Sequence, residues 1–232
     1  PVAPLLEERI RRTSLMKSSL FSARIEGNTL ELHHMQKGAS EKKREQLEIS
    51  NILRAFTYIH SKTSPRIISL SLVKKLHEIT LHGLSADAGN FRTEPSAIFN
   101  SAGIAVYMTP PPQEVRQKME QLVTGIKKAS YPIPIIAALA HFEFEKIHPF
   151  LDGNGRVGRL LAHCILQRRG YGCKGLLSFE EYLDTHKQEY YDTLSIQSKN
   201  ATPFVEFFLE TIIATLEPVV QLIKQSPKTQ TV

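Results

Sequence analysis

The sequence is poor in cysteine and has no long apolar run, and both deficits narrow the classes of protein it can encode. Its 232 residues include only two cysteines, Cys164 and Cys173, which is too few for the disulfide framework of a secreted scaffold. The longest apolar stretch, near residues 133–140, is too short to span a bilayer. No secretory leader opens the sequence. We therefore predict a cytoplasmic protein with reduced thiols and no membrane association.

The sequence also lacks a strong excess of either positive or negative charge. The 29 Lys and Arg residues against 23 Asp and Glu give a formal net charge of +6. The densest basic run, residues 41–45, is interleaved with acidic residues, which is typical of a solvated helix face rather than a nucleic-acid-binding stripe. With 41% hydrophobic and 22% charged residues, the composition is that of an ordinary globular protein. We therefore expect no nucleic-acid partner.

The apolar spacing predicts a mainly helical chain. Two short strand-like runs, 97–99 and 104–107, flank turn residues 100–103 and predict a β-hairpin. A capping-box pattern at residues 178–181 predicts one helix running to about Gln197. The other predicted helices cover about 5–26, 41–60, 69–82, 113–129, 134–147 and 155–169, with a last one from Thr202.

Residues 148–159 concentrate one histidine, one aspartate, three glycines and two arginines around a predicted helix start. Free backbone N–H groups at a helix N-terminus bind anions, and the forks of Arg156 and Arg159, three residues apart, suit phosphate oxygens. Asp152 can hold a hard cation such as Mg2+, and His148 can accept a proton near neutral pH. Together these residues predict a nucleotide phosphate site beside a general base.

Three other kinds of site share parts of this pattern. The glycine spacing of residues 153–158 matches the dinucleotide fingerprint, but a helix and not a strand precedes it. A Walker A loop ends in Gly-Lys-Ser/Thr, whereas this loop continues as Gly-Arg-Val. His141, Glu145 and His148 share a helical face, but no further strong ligand completes a transition-metal site. The phosphate site is the interpretation that these residues favour.

The same twelve residues resemble the signature of the Fic (filamentation induced by cAMP) family, His-Pro-Phe-x-Asp/Glu-Gly-Asn-Gly-Arg-x-x-Arg, at every signature position. Helix order and the hairpin extend the resemblance from about Ser69 to Phe208. It implies an all-α, mainly helical Fic fold with a small β-hairpin flap. The implied domains are an N-terminal helical region (1–65), a catalytic domain (66–225) and a flexible tail (226–232).

The resemblance also implies an enzyme that uses Mg2+ to transfer AMP from ATP to a protein hydroxyl group. His148 would deprotonate the Ser, Thr or Tyr hydroxyl, and Asp152 would hold Mg2+ against the α- and β-phosphates. Arg159 would hold the γ-phosphate. The residues implied to bind the nucleotide within the signature are Gly153, Asn154, Gly155, Arg156, Gly158 and Arg159.

Two further features gain roles from the resemblance. The hairpin would be a flap over the site that docks the target backbone by strand addition. Its docking residues would be Ile104, Ala105, Val106 and Tyr107, with Ile104 also facing the nucleotide. Tyr190 and Tyr191 resemble a family pair near the adenine, and Tyr191 is the residue implied to contact it. The alternative for this pair is a place among the core aromatics.

Residues 22–28 resemble a second family motif, Ser/Thr-x-x-x-Glu-Gly/Asn, whose glutamate is autoinhibitory. Ser22 and Glu26 are four residues apart and share one helix face, in an inhibitory helix of about residues 13–28. The resemblance implies that Glu26 pairs with Arg159. A carboxylate on a guanidinium fork is a strong pair in a site shielded from water, and this pair would occupy the arginine that the γ-phosphate needs.

Several functions are compatible with these residues. The favoured one is an autoinhibited adenylyltransferase, with ATP, a protein target and self-modification as the implied interactions and a homodimer possible. The first alternative is a hydrolase that removes AMP, with Glu26 positioning the water. The others are phosphate or phosphocholine transfer and an inactive interaction module. The complete catalytic set and the scattered charge favour the first.

Overall fold

The computed structural model describes residues 4–31, 43–99, 104–194 and 199–225. Within these ranges the chain forms helices and one two-stranded antiparallel sheet, in agreement with the predicted mainly helical fold with a small hairpin. In chain order the elements are α1 (Pro4–Ile25), α2 (Lys43–His60), α3 (Leu70–Thr80), β1 (Ala97–Phe99), β2 (Ala105–Met108), α4 (Pro112–Lys128), α5 (Ile133–Ile147), α6 (Asn154–Arg168), α7 (Glu180–Thr185), α8 (Lys187–Thr193) and α9 (Thr202–Gln225).

The helix ends follow from local chemistry. Ser69 caps α3, because its hydroxyl accepts a hydrogen bond from the Leu72 N–H at 3.2 Å. Pro112 begins α4, where the missing proline N–H would have had no helical partner. At the end of α5, His148 adopts a left-handed conformation with φ 48° and closes the helix. These caps leave the chain between α5 and α6 as a short loop, residues 148–153.

The centre of the core is the pair α5 and α6, which pack against each other. Most of α6 is buried, and α9 packs on the other side of α5. The buried aromatic rings that fill this region are Phe142, Phe144, Phe150, Phe204 and Phe208. Burying each ring contributes roughly 1.5–3 kcal/mol of hydrophobic stabilisation. The tight packing gives the loop between the two helices rigid supports.

The N-terminal helix α1 packs against α2, α6 and α7. Small side chains on its inner face, among them Ser18, Ser19 and Ala23, are buried and allow this close approach. On its outer side, Lys17 pairs with Glu181 of α7 at 2.9 Å. The C-terminal end of α1 therefore lies next to the first turns of α6.

The structure corrects one helix prediction. The segment after residue 178 forms two short helices, α7 and α8, that meet at His186, and α8 ends at Thr193. Phe179, not Ser178, is the N-cap residue of α7, and it makes no side-chain capping bond. The position of this N-cap follows from tertiary packing, because the Phe179 ring stacks on His163 at 4.1 Å in the core. The end predicted near Gln197 lies outside the described residues.

The hairpin is present with β2 shifted by one residue from the predicted strand. Ala97 pairs with Met108 and Ile98 with Tyr107, and the register is irregular after Ile98. Its base is closed by Thr109, whose hydroxyl donates to the Ser96 carbonyl at 2.7 Å. The predicted turn, 100–103, and the predicted tail, 226–232, lie outside the described residues. None of the helices formed by the described residues is long and apolar enough to cross a membrane.

Candidate active site

The loop between α5 and α6 is held in shape by buried polar contacts. Asn154 bonds the backbone of Phe150 twice, accepting from its N–H at 2.9 Å and donating to its carbonyl at 2.8 Å. His77 stacks on the Phe150 ring and contacts the Asp152 carbonyl at 3.0 Å. Because the Gly89 N–H donates to the other ring nitrogen of His77, this contact is a donation from a neutral imidazole. The loop conformation is therefore fixed before any ligand binds.

Arg92 anchors the same loop to the base of the hairpin. It is buried, and its guanidinium donates to the carbonyl oxygens of His148 at 2.8 Å, Glu94 at 3.0 Å and Pro110 at 2.5 Å. A cation that donates charge-assisted hydrogen bonds to several carbonyl groups stabilises the local backbone arrangement. The hairpin and the α5–α6 loop (residues 148–153) thus share Arg92 as a structural support.

His148 lies at the entrance to the loop with its side chain mostly buried. The pKa of the imidazole is lowered to about 4, mainly by burial and in part by the positive charge of Arg92, while the Glu145 carbonyl opposes the shift. The ring is therefore neutral at pH 7. A neutral imidazole in this position can accept a proton from a bound hydroxyl group.

Glycines shape the N-terminus of α6. Gly153 has φ 79°, and a Cβ atom there would lie 2.5 Å from the Leu81 side chain, so other residues are excluded on both counts. A Cβ atom on Gly155 would collide with the Glu26 carboxylate. Glu26 therefore lies against the first turn of α6, where the backbone amides and the helix dipole favour a negative group.

Arg159 is almost fully buried, at 1% exposure, and its described contacts come from the end of α1. Its Nε donates to the Ser22 hydroxyl at 3.0 Å, and its Nη2 donates to the Ser22 carbonyl at 2.9 Å and to Glu26 Oε1 at 2.8 Å. Burial alone would lower the pKa of Arg159, but the Glu26 carboxylate raises it above its ordinary value. Among the described residues, Nη1 has no hydrogen-bond acceptor. Ser22 and Glu26, which the sequence predicts to be inhibitory, thus surround this guanidinium.

Arg156 is also buried but has different partners. Its Nη1 donates to Glu48 Oε1 at 2.5 Å, and its Nη2 donates to Asp152 Oδ1 at 2.6 Å. Asp152 itself is largely exposed, with 58% of its side chain accessible, and the same oxygen accepts the Gly153 N–H at 2.6 Å. The contact with Glu48 of α2 was not predicted.

A buried acid, Glu145, lies near the end of α5, next to the α5–α6 loop. The pKa of Glu145 is raised to about 8, mainly by burial and in part by the Glu26 carboxylate, while Arg159 opposes the shift. Its Oε2 is 3.9 Å from His148 Nδ1, and its Oε1 is 4.0 Å from His141 Nδ1. The structure places Gly158 directly against these side chains, and a Cβ atom there would collide with Glu145. Within the described ranges, no three His, Cys, Asp or Glu residues gather as a metal site.

The tyrosine pair is divided between core and surface. Tyr190 is buried, and its hydroxyl bonds His141 Nε2 at 2.7 Å. Tyr191 is 44% exposed, and its hydroxyl donates to the Ile25 carbonyl at 3.3 Å, next to Glu26. Tyr190 therefore belongs to the core, whereas Tyr191 lies beside the candidate site, where an adenine ring could stack. The role predicted for Tyr191 stays a prediction.

The flap residues lie on or next to β2. Ile104, just before the strand, and Ala105 in it are exposed, and Tyr107 is partly buried. Val106 lies between them in the strand. A short exposed strand of this kind can accept a peptide by backbone pairing.

Comparisons with known proteins identify relatives of this chain. Residues 67–166 match the family model described as "Fic/DOC family". The chain is 26% identical over 223 residues to "Protein adenylyltransferase Fic" of Nematostella vectensis, which covers 89% of this chain and 49% of that protein. It is 28% identical over 224 residues to the protein of the same name from Aedes aegypti, covering 90% and 42%. The chain thus spans just under half the length of these relatives.

A solved structure extends the comparison to nearly the whole chain. The crystal structure of a Fic family protein from Desulfovibrio desulfuricans G20 superposes with a TM-score of 0.85 at 27% sequence identity, covering 98% of this chain and 69% of that one. The matched region includes the α5–α6 loop, the flap and the helices that support them. Residues 67–166 therefore match the Fic/DOC family, and over most of its length the chain is similar to proteins named protein adenylyltransferase Fic.

Proposed function

We propose that this chain is an autoinhibited protein adenylyltransferase that transfers AMP from ATP to a Ser, Thr or Tyr hydroxyl of a protein target. The observation that supports it best is the convergence of a neutral histidine, an exposed aspartate and two arginines on the N-terminus of α6. In this reaction the hydroxyl oxygen bonds to the α-phosphorus. The bond from that phosphorus to the β-bridging oxygen breaks, and pyrophosphate leaves.

His148 is the residue that we assign as general base. It is neutral at pH 7 because burial lowers its pKa to about 4, so it can accept the hydroxyl proton. A base with so low a pKa is weak, since proton transfer is most effective when the pKa lies near the working pH. The negative charge of a bound triphosphate would raise the pKa of the ring, and it would do so only when substrate is present.

Asp152 is the residue that we assign to Mg2+. Its carboxylate is largely exposed and stands at the anion-binding end of α6. Mg2+ suits a site with one carboxylate, because it takes its other ligands from water and substrate phosphates. When bound, the ion neutralises phosphate charge and so favours departure of pyrophosphate.

The remaining residues would position the nucleotide. The backbone of Gly153, Asn154 and Gly155 would cradle the phosphates, and Arg156 would bind them. Arg159 would hold the γ-phosphate and thereby align the α-phosphorus for attack. Gly158 supports this indirectly, since it lets α6 approach Glu145. Stacking of Tyr191 on adenine and docking of the target along residues 104–107 complete the proposal.

Autoinhibition is the second part of the proposal. The Glu26 carboxylate binds Arg159 at 2.8 Å and lies against Gly155, so it occupies the two groups that a γ-phosphate would use. ATP could then bind only with its phosphates displaced. Because 31% of the Glu26 side chain is exposed, the carboxylate could leave by a local movement of the turn that follows α1.

Removal of AMP from a modified target is a second candidate function of the same site. It is favoured by the same partial exposure of Glu26, since water can reach a carboxylate that lies at the phosphate cradle. There Glu26 would orient a water molecule towards the phosphorus of the AMP ester. Loss of AMP from a labelled target would then require Glu26, whereas AMP addition would be limited by it.

The decisive experiment compares wild type, Glu26→Gly and the double variant Glu26→Gly/His148→Ala, each incubated with Mg2+ and α-labelled ATP. We expect strong label on protein with Glu26→Gly and none with the double variant. Glu26→Gln is the matched control, because it keeps the size of the side chain and removes only its charge. It should give an intermediate level of label.

A parallel reaction with γ-labelled ATP distinguishes the chemistry. Label from the γ-position would mean phosphate transfer and would contradict AMP transfer. Equal label in wild type and Glu26→Gly would contradict the brake. Self-modification provides the readout without a known target. The mass of the labelled protein tests the predicted self-modification, and the mass of the native assembly tests the predicted homodimer.

A further inference from the structure

A continuous chain of hydrogen bonds connects the turn after α1 to the candidate Mg2+ ligand. Asn28 Nδ2 donates to Glu48 Oε2 at 2.8 Å. Glu48 Oε1 accepts from Arg156 Nη1 at 2.5 Å, and Arg156 Nη2 donates to Asp152 Oδ1 at 2.6 Å. These four residues come from the turn after α1, from α2, from α6 and from the α5–α6 loop.

The first member of this chain is itself firmly held. Asn28 is buried, its Oδ1 accepts the Leu30 N–H at 3.0 Å, and its Nδ2 also contacts the Glu45 carbonyl at 3.1 Å. The turn that carries Glu26 is therefore attached to the first turn of α2. Glu48, one turn further along α2, links this attachment to Arg156.

The charges explain what Glu48 does in this series of hydrogen bonds. The buried Arg156 guanidinium lies between two carboxylates, Glu48 on one side and Asp152 on the other. If Asp152 turns to a metal ion, its pairing with Arg156 weakens. A buried guanidinium left without a partner is strongly destabilising, and Glu48 is the carboxylate that remains to prevent it.

We propose that Glu48 is a positioning residue that balances the charge of Arg156 and so leaves Asp152 free to hold Mg2+. The inference rests on the proposed function, since it takes Asp152 as the residue that binds the ion. It adds a residue of α2, outside the Fic domain match, to the nucleotide site. Partners that support a metal ligand from behind change metal affinity about 10–100-fold when they are removed.

The test uses the Glu26→Gly protein, so that the brake does not mask binding. The probe is α,β-methylene-ATP, whose α–β bridge cannot be cleaved, and its Kd is measured with Mg2+ and again with EDTA. We expect Glu48→Gln to weaken binding with Mg2+ about tenfold or more and to leave binding in EDTA nearly unchanged. Glu45→Gln is the matched control on the same helix, because Glu45 contributes a backbone carbonyl that the substitution keeps.

Equal weakening with and without Mg2+ would mean that Glu48 only supports the fold, and it would overturn the inference, as would no weakening. If the Glu26→Gly parent itself bound the analogue without any dependence on Mg2+, the proposed function would fail instead. Hydrogen exchange on the parent gives a test that requires no change at Glu48. Addition of Mg2+ to the nucleotide complex should change exchange at residues 27–31 as well as at 148–159, and a change confined to 148–159 would contradict the connection.

Discussion

Arg156 and Arg159 are three residues apart on one helix, yet the structure holds them by different means. Arg159 is held by the end of α1, through Ser22 and Glu26. Arg156 is held by Glu48 of α2 and by Asp152 of its own loop. Both external carboxylates come from the N-terminal region, outside residues 67–166 that match the family model.

The comparison indicates two different uses of the N-terminal region. In the proposed function, the Glu26 contact must break before a γ-phosphate can reach Arg159, so it would oppose substrate binding. The Glu48 contact leaves the Asp152 side of Arg156 accessible and can persist when nucleotide binds. On this proposal, one N-terminal region supplies a removable partner to Arg159 and a permanent partner to Arg156. The following predictions separate the two.

The largest effect is expected from removing each arginine in the Glu26→Gly background. Arg159→Ala should reduce AMP transfer about 10²–10³-fold, because a hydrogen-bond donor to the departing pyrophosphate is lost. Arg156→Ala should reduce it as well, but it should shift the Mg2+ dependence to lower Mg2+ concentrations, because Asp152 then loses the cation that competes with Mg2+. The measurement is the initial rate of label incorporation at several Mg2+ concentrations. Identical Mg2+ profiles for the two variants would remove the distinction between the arginines.

The next largest effect tests whether the brake acts through Arg159. Glu26→Gly should raise transfer about ten- to a hundredfold, which corresponds to one charged hydrogen bond of about 1.5–3 kcal/mol. In the Arg159→Ala background the same substitution should have no effect. A double-mutant cycle on the labelling rate measures this coupling. Additive effects would mean that Glu26 inhibits by another route.

Sequence alone predicted the parts of this site whose signals are local. The glycines, the proline and the histidine of residues 148–159 describe a helix end, a tight loop and a new helix start, and the structure has all three. The contact between Glu26 and Arg159 was predicted from a motif resemblance, although 133 positions separate the residues.

Contacts without a local signal were missed. Glu48 looks like any other acid on the polar face of α2, and its partner lies 108 positions away. The break between α7 and α8 at His186 was also missed, and so was the ring stack between Phe179 and His163, which depends on tertiary packing. Hydrophobic period and capping patterns carry no information on which distant side chain will meet a helix.

A smaller effect is expected from Ser22, the neutral partner of Arg159. Ser22→Ala removes the acceptor for Arg159 Nε and should raise transfer about fivefold, since a single hydrogen bond contributes about 1 kcal/mol. Ser19→Ala is the matched control, because Ser19 is equally buried on α1 but donates within its own helix to the Leu15 carbonyl at 2.7 Å. Equal effects of the two serines would indicate a general loosening of α1 instead.

The smallest effect concerns Glu145, the buried acid that also faces Arg159. Its pKa is raised from 4.5 to about 8, so the folded state retains a proton that the unfolded state loses above pH 4.5. Stability should therefore fall as pH rises from 4.5 to 8. The buried histidines act oppositely, but only below pH 6.5, because their pKa values are lowered from 6.5 to about 4 for His148 and about 3 for His141.

The window from pH 6.5 to 8 thus isolates Glu145. Wild type should lose up to about 2 kcal/mol of unfolding free energy across it, as measured by urea titration, whereas Glu145→Gln should show little change. Glu26→Gly should lose less than wild type, because the Glu26 carboxylate is one cause of the raised pKa. A slope in wild type that survives Glu145→Gln would assign the titration to another group. If the dependence of stability on pH vanishes with Glu145→Gln and weakens with Glu26→Gly, both acids interact with the charge of Arg159. They are then a separate group from Glu48 and Asp152, the carboxylates that hold Arg156.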